Sequence, residues 1–155
     1  MRRFDFQLLA AYQQFHLQDE SANANLGESF WTDAAVGRLL AVAPGAIGVS
    51  TARDSFVPVG VEVHDTEPEP DLEPWDHVTE CSLEIPTGRV VIMGCTEAFP
   101  EAARIEVPPA VYRARISYGA LDTVSENRRE GDDRYLVQLW RAPAIEPRVL
   151  KQRDA

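Results

Sequence analysis

The sequence predicts an all-β protein, a single-domain β-sandwich-like fold of about eight strands with one short α-helix. Three observations lead there: apolar residues recur with period two in most segments, only one stretch carries helix signals, and turn residues separate the rest. At 155 residues, with 45% hydrophobic and 26% charged residues, the chain supports one domain, 1–155, with its own core.

The elements follow in order. Phe4-Asp5-Phe6-Gln7-Leu8 alternates, and Tyr12 to Gln18 continues as a second strand with Phe15 and Leu17 on one face. Thr32 or Ser29 caps a helix through Ala34–Leu40, which Pro44-Gly45 ends. Ala46 to Thr51 begins the next strand. Val57, Val59, Val61 and Val63 then set a β-branched face inward and leave Pro58, Gly60, Glu62 and His64 outward. Thr79 to Ile85 alternates again. After Pro86-Thr87-Gly88, read as a hairpin turn, Arg89 to Cys95 is apolar on both faces, as in a central strand. In that hairpin Cys81 lies opposite Met93 and Cys95 opposite Thr79, a diagonal that suits a disulfide poorly, so both thiols are expected free and mostly buried. Tyr112 to Tyr118 and Tyr135 to Trp140 supply two more strands. An open sandwich and a closed up-and-down barrel fit this count equally. Residues 65–76 and 125–133 read as irregular loops, and the chain after 143 as an irregular tail.

Composition excludes several functions. Twenty-five acids oppose fifteen bases, a net charge of -10 with a sequence pI near 4.7, so direct nucleic-acid binding is not expected. Mean hydropathy is -0.26 and no apolar run approaches a membrane span, so no membrane association is expected. No apolar stretch follows Arg2-Arg3, and the cytoplasm is the default compartment. No GxSxG elbow, Walker loop, GxGxxG fingerprint, CxxC pair or HExxH occurs, so no catalytic residue, metal or cofactor is assigned. His64 and His77 border the same acidic loop, and with Trp75 they are the one combination suggesting a small-ligand or carbohydrate pocket. Trp31 and Trp140 read as core.

Charge is segregated in the middle of the chain. Between Arg53 and Arg89 there are ten acids and no Lys or Arg. Within this interval Glu67-Pro68-Glu69-Pro70-Asp71-Leu72-Glu73-Pro74 alternates acid with proline, which fixes φ and keeps the loop extended. Asp65, Glu67, Glu69, Asp71, Glu73, Trp75 and Asp76 are therefore the candidate partner-binding residues. A stiff row of carboxylates imitates a nucleic-acid backbone and suits the basic groove of a nuclease or another basic protein. The same loop serves solubility if it has no partner.

Three blocks carry a resemblance: Tyr12-Gln13-Gln14-Phe15-His16-Leu17-Gln18-Asp19, Trp31-Thr32-Asp33-Ala34-Ala35 and Gly45-Ala46-Ile47-Gly48-Val49-Ser50. With Cys81 to Gly88 and the strand to Cys95, they resemble the bacterial competence protein J family over roughly residues 6–96. The resemblance implies a small acidic inhibitor of a nuclease of DNA uptake, a binding protein rather than an enzyme. The acid-and-proline loop looks longer than the family pattern, and the chain after 96 is only loosely similar.

Overall fold

The computed structural model describes residues 1–22, 30–97 and 99–154. Eleven strands among them form two sheets. The first contains β1 (Arg2–Leu9), β5 (Phe56–Val63), β6 (His77–Ile85), β9 (Ala110–Gly119), β10 (Arg134–Arg141) and β11 (Arg148–Lys151), in the order β1-β5-β10-β9-β6-β11. The second contains β2 (Gln14–Asp19), β3 (Leu40–Ala43), β4 (Ala46–Ser50), β7 (Arg89–Gly94) and β8 (Ala103–Glu106), in the order β3-β4-β2-β7-β8. Both sheets are open, which decides for the sandwich over the barrel. The period-two faces pack as expected: Phe15, Leu17, Ile47 and Ile92 of one sheet meet Val59, Val61, Ile116 and Leu139 of the other in a common core. Among the described residues no helix is long and apolar enough to cross a membrane.

Thr32 caps the one α-helix among the described residues, α1 (Asp33–Arg38): its Oγ1 accepts from the Ala35 N–H at 3.1 Å. Ser29, the other candidate cap, lies outside the described residues. The helix ends earlier than the sequence suggests. Leu39 takes a left-handed conformation and its N–H closes on the Ala35 and Val36 carbonyls, so Leu40–Ala43 is free to form β3. Pro44-Gly45 then turns β3 into β4, with Gly45 at φ 70°. β8 and β11 are the other strands that alternation missed; each is only four residues long. The tail is thus not irregular throughout: Arg148–Lys151 adds an edge strand to β6.

The predicted hairpin is corrected. β6 and β7 lie in different sheets: Cys81 faces Ala114, and Met93 faces His16. The cause is local. The buried Asp19 carboxylate, at the end of β2, accepts from the Thr87 N–H at 3.1 Å and Thr87 Oγ1 at 2.8 Å, and from the Ser21 N–H and hydroxyl. Gly88, at φ 75°, donates to Ile85 O while its own carbonyl accepts from Val107. The turn is thereby bound to the second sheet, and the chain changes layer there. Cys81 is buried and Cys95 half-buried, both free.

Burial alone would raise the pKa of Asp19, but the Ser21 and Thr87 hydrogen bonds outweigh it and hold the carboxyl below its ordinary value. A carboxyl depressed in the folded state adds stability above its unfolded pKa near 4 and loses it as pH falls further. His16 runs higher on the scale: burial lowers it to about 4, so protonation of the unfolded chain erodes stability from about pH 6.5 downward. Asp19→Ala is expected to cost about 2–3 kcal/mol in urea unfolding at pH 7, since four donors lose a charged acceptor. The gap from wild type should narrow below pH 4, whereas His16→Gln should flatten the profile between pH 6.5 and 4.

Candidate functional site

The position of the acid-and-proline segment follows from topology. β5 and β6 run parallel in one sheet with β10 and β9 between them. Residues 64–76 must therefore cross three strand spacings, about 14 Å, over the outer face of the sheet. That face is not apolar: alternation places Glu80, Arg115, Arg134 and Trp140 on it.

Basic side chains of that face hold the segment by its main chain. Arg115 Nη1 donates to Pro68 O at 2.9 Å, Lys151 Nζ to Leu72 O at 3.0 Å and Arg134 Nη2 to Pro74 O at 3.4 Å. The Arg134 guanidinium also lies over the Trp75 ring, 4.2 Å from its centroid. Arg115 is 2% exposed. It is fixed by Glu80 at 2.8 Å and by the Trp140 ring beneath it, while Arg148 closes on the other Glu80 oxygen. The cations thus bond to carbonyls and leave most carboxylates alone.

Asp65, Glu67, Glu69, Asp71 and Glu73 are all exposed. Only Glu67 approaches a cation, Arg115 at 3.5 Å; among the described residues the other four have no ion pair. Trp75 is half-buried against Gly119 and Arg134. Asp76 is part of the scaffold rather than the row, since its Oδ2 accepts from the Leu121 N–H at 2.8 Å. Of the other acids in the interval, Glu62 and Glu80 are buried, and Glu84 accepts from the Gly45 N–H. Burial works to raise the pKa of Glu62, but hydrogen bonds from His64, Gln138 and Arg3 bring it below the ordinary value.

The predicted histidine pair does not assemble. His64 follows the end of β5, where it bonds Glu62. His77 begins β6, parallel to β5, so the two rings lie at opposite ends of the sheet. His77 is fully buried: Nε2 donates to Arg38 O, Nδ1 accepts from the Arg153 N–H, and burial lowers its pKa. Cys81 is no nucleophile either, as burial pushes its thiol up to about 12. Trp140 and Trp31 pack on the outer faces rather than between the sheets. What lies beside Trp75 instead is an open depression of about 800 Å³, floored by Pro58, Gly60 and Leu136 and walled by Arg3, Arg53 and Arg134.

Sequence reasoning missed the three clamping cations because they lie outside the acidic interval. Their only signal was the outward position of Arg115 in the Tyr112–Tyr118 alternation.

No protein-family description matches the chain, and no curated relative does. Two solved structures share its fold. ComJ from Bacillus subtilis, an inhibitor of the DNA degrading activity of NucA, aligns with a TM-score of 0.66 at 14% identity, over 92% of this chain and 96% of its own. The crocagin biosynthetic gene J protein aligns with a TM-score of 0.62 at 19% identity, over 92% and 100%. The resemblance read from the sequence is thus borne out at the level of fold.

The clamps make separable contributions. Lys151→Met frees the Leu72 carbonyl at the surface and should change global stability by under about 1 kcal/mol, yet speed amide exchange across residues 69–75. Arg115→Met leaves buried Glu80 with Arg148 alone and should cost about 2–3 kcal/mol in urea unfolding. Exchange mass spectrometry with equilibrium unfolding checks both.

Proposed function

We propose that this is a non-catalytic, cytoplasmic acidic binding protein, an inhibitor or immunity-type partner of a nuclease or another basic enzyme. Asp65, Glu67, Glu69, Asp71 and Glu73 are its contact row, with Trp75 at the row's end. One observation carries the reading: the main chain is clamped by cations that leave the carboxylates facing solvent. A solubility loop gains nothing from being held rigid. A docking element does, because less conformational entropy is lost on binding. Spaced carboxylates on a fixed path present the negative potential that a phosphate-binding groove attracts. The shared fold with ComJ, itself a nuclease inhibitor, supports the class of partner.

The chain's net charge of -10 argues against direct contact with nucleic acid. The burial of His16 and His77 and the raised pKa values of both thiols argue against catalysis. The depression beside Trp75 favours a second reading, a small-ligand or carbohydrate site, whose polar walls would be Arg3, Arg53 and Arg134 rather than His64 and His77.

The test is a pull-down from the native organism's lysate at low and high salt, followed by kinetics with the purified partner. Glu67→Gln, Glu69→Gln, Asp71→Asn and Glu73→Asn combined should lower the association rate at least tenfold while leaving the fold intact. Each single change should matter by only a few tenths to ~1 kcal/mol. The captured protein should be a basic enzyme that loses activity in the complex. A partner that binds both forms at the same salt-independent rate would leave the row a solubility device. Purified protein should turn over no ester, glycoside, phosphoester or nucleic acid, with or without divalent metals.

A further inference from the structure

Among the described residues, three exposed large apolar side chains belong to the chain where β1 ends and β5 begins: Tyr12 at 76%, Phe56 at 57% and Leu9 at 40% exposure. Leu9 and Phe56 are register partners across the two strands. The chain from Ala10 to Gln13 is stitched along residues 51–55: Ala10 N–H donates to Ser55 O at 2.8 Å, Thr51 N–H to Gln13 O at 2.9 Å, and Gln13 Nε2 to Ala52 O at 3.1 Å. Residues 51–55 are braced from the other side. The Ala52 N–H donates to Tyr135 Oη, and buried Asp133 binds both that hydroxyl and Arg53.

This corner is also strained. Tyr12 and Gln13 are consecutive non-glycine residues at φ 59° and 57°, in the left-handed region that L side chains disfavour. The fold maintains an unfavourable backbone in order to hold a tyrosine out in water. Strain retained at an exposed aromatic points toward a function for it, and tyrosine is among the residues that dominate binding at interface centres.

The corner is continuous with the depression at the Trp75 end of the acidic row. The depression walled by Trp75 reaches Gln7 and Pro58. A second one, of about 270 Å³, is lined by Gln7, Leu9 and Phe56. Gln7 is common to both, so Trp75, where the row ends, and the pair Leu9 and Phe56 border one continuous surface. We infer that Leu9, Tyr12 and Phe56 are the apolar anchor with which this surface grips its basic partner, an inference that rests on the reading of the acidic row as a docking element. A second copy of this chain is the wrong occupant, because it would bring two acidic rows together. The acids then set how fast the partner arrives, and the anchor how slowly it leaves.

The test places a photo-crosslinking benzoylphenylalanine at Tyr12 or Phe56 of the full chain, with Val111 and Val149 as exposed apolar controls elsewhere. Irradiation in native lysate at low salt should yield one adduct at positions 12 and 56 and none at 111 or 149, its mass identifying a basic protein. With that protein purified, Tyr12→Ala and Phe56→Ala combined should raise the dissociation rate at least 30-fold. Association rate, salt dependence and urea midpoint should stay close to wild type. An adduct of two copies of this chain, equal labelling at all four positions, or no adduct at all would overturn the anchor. If the acidic row captures a basic protein while positions 12 and 56 stay unlabelled, the row's role stands and the anchor's falls. An adduct whose formation ignores both salt and the row substitutions would overturn the basic partner itself.

Discussion

The parallel placement of β5 and β6, with β10 and β9 between them, governs this structure. An antiparallel neighbour could have been reached by a tight turn. A parallel strand three positions away requires a crossover over one face of the sheet. The usual crossover is a helix that buries an apolar stripe. Here it is an acid-and-proline segment that cannot bury one, so the face beneath it had to be polar. Arg115, Lys151 and Arg134 bond three of its carbonyls, and Glu80 with Trp140 holds Arg115 in place.

This arrangement separates two uses of charge that a formal count merges. Glu62 and Glu80 are buried among arginines and hold the scaffold together. Glu69, Asp71 and Glu73 lie a few residues away and have no such pair. A cation bonded to a carbonyl leaves the neighbouring carboxylate its field. The single lysine of the chain does this from the last strand, so the far end of the sequence shapes a surface in its middle.

The same economy governs the end of the sandwich near Trp75. Buried hydroxyls of Tyr118 and Tyr135, whose pKa values burial drives up, tie the core to Leu39 and to Ala52. The loops at that end are therefore fixed by the core rather than by their own sequence. Such bracing lets a strained corner persist.

The sequence by itself determined the all-β class, the inward faces of β5, β6 and β9, a capped helix start near Thr32 and the exposed acidic row. Each is a local property, set by alternation of period two, a side chain bonding within three residues, or proline fixing φ. Only the tertiary structure decided the rest. Pro86-Thr87-Gly88 reads as a hairpin turn until Asp19, 68 residues away, binds Thr87 and sends β7 to the other sheet. His64 and His77 look like neighbours along the chain, yet parallel strands carry them to opposite ends of one sheet. β3, β8 and β11 are four residues long, too short for a period to show, and exist because a neighbour offers its edge. Long-range pairing leaves no periodic trace in the chain, because it depends on which distant hydrogen-bonding groups remain unsatisfied once the local elements have formed.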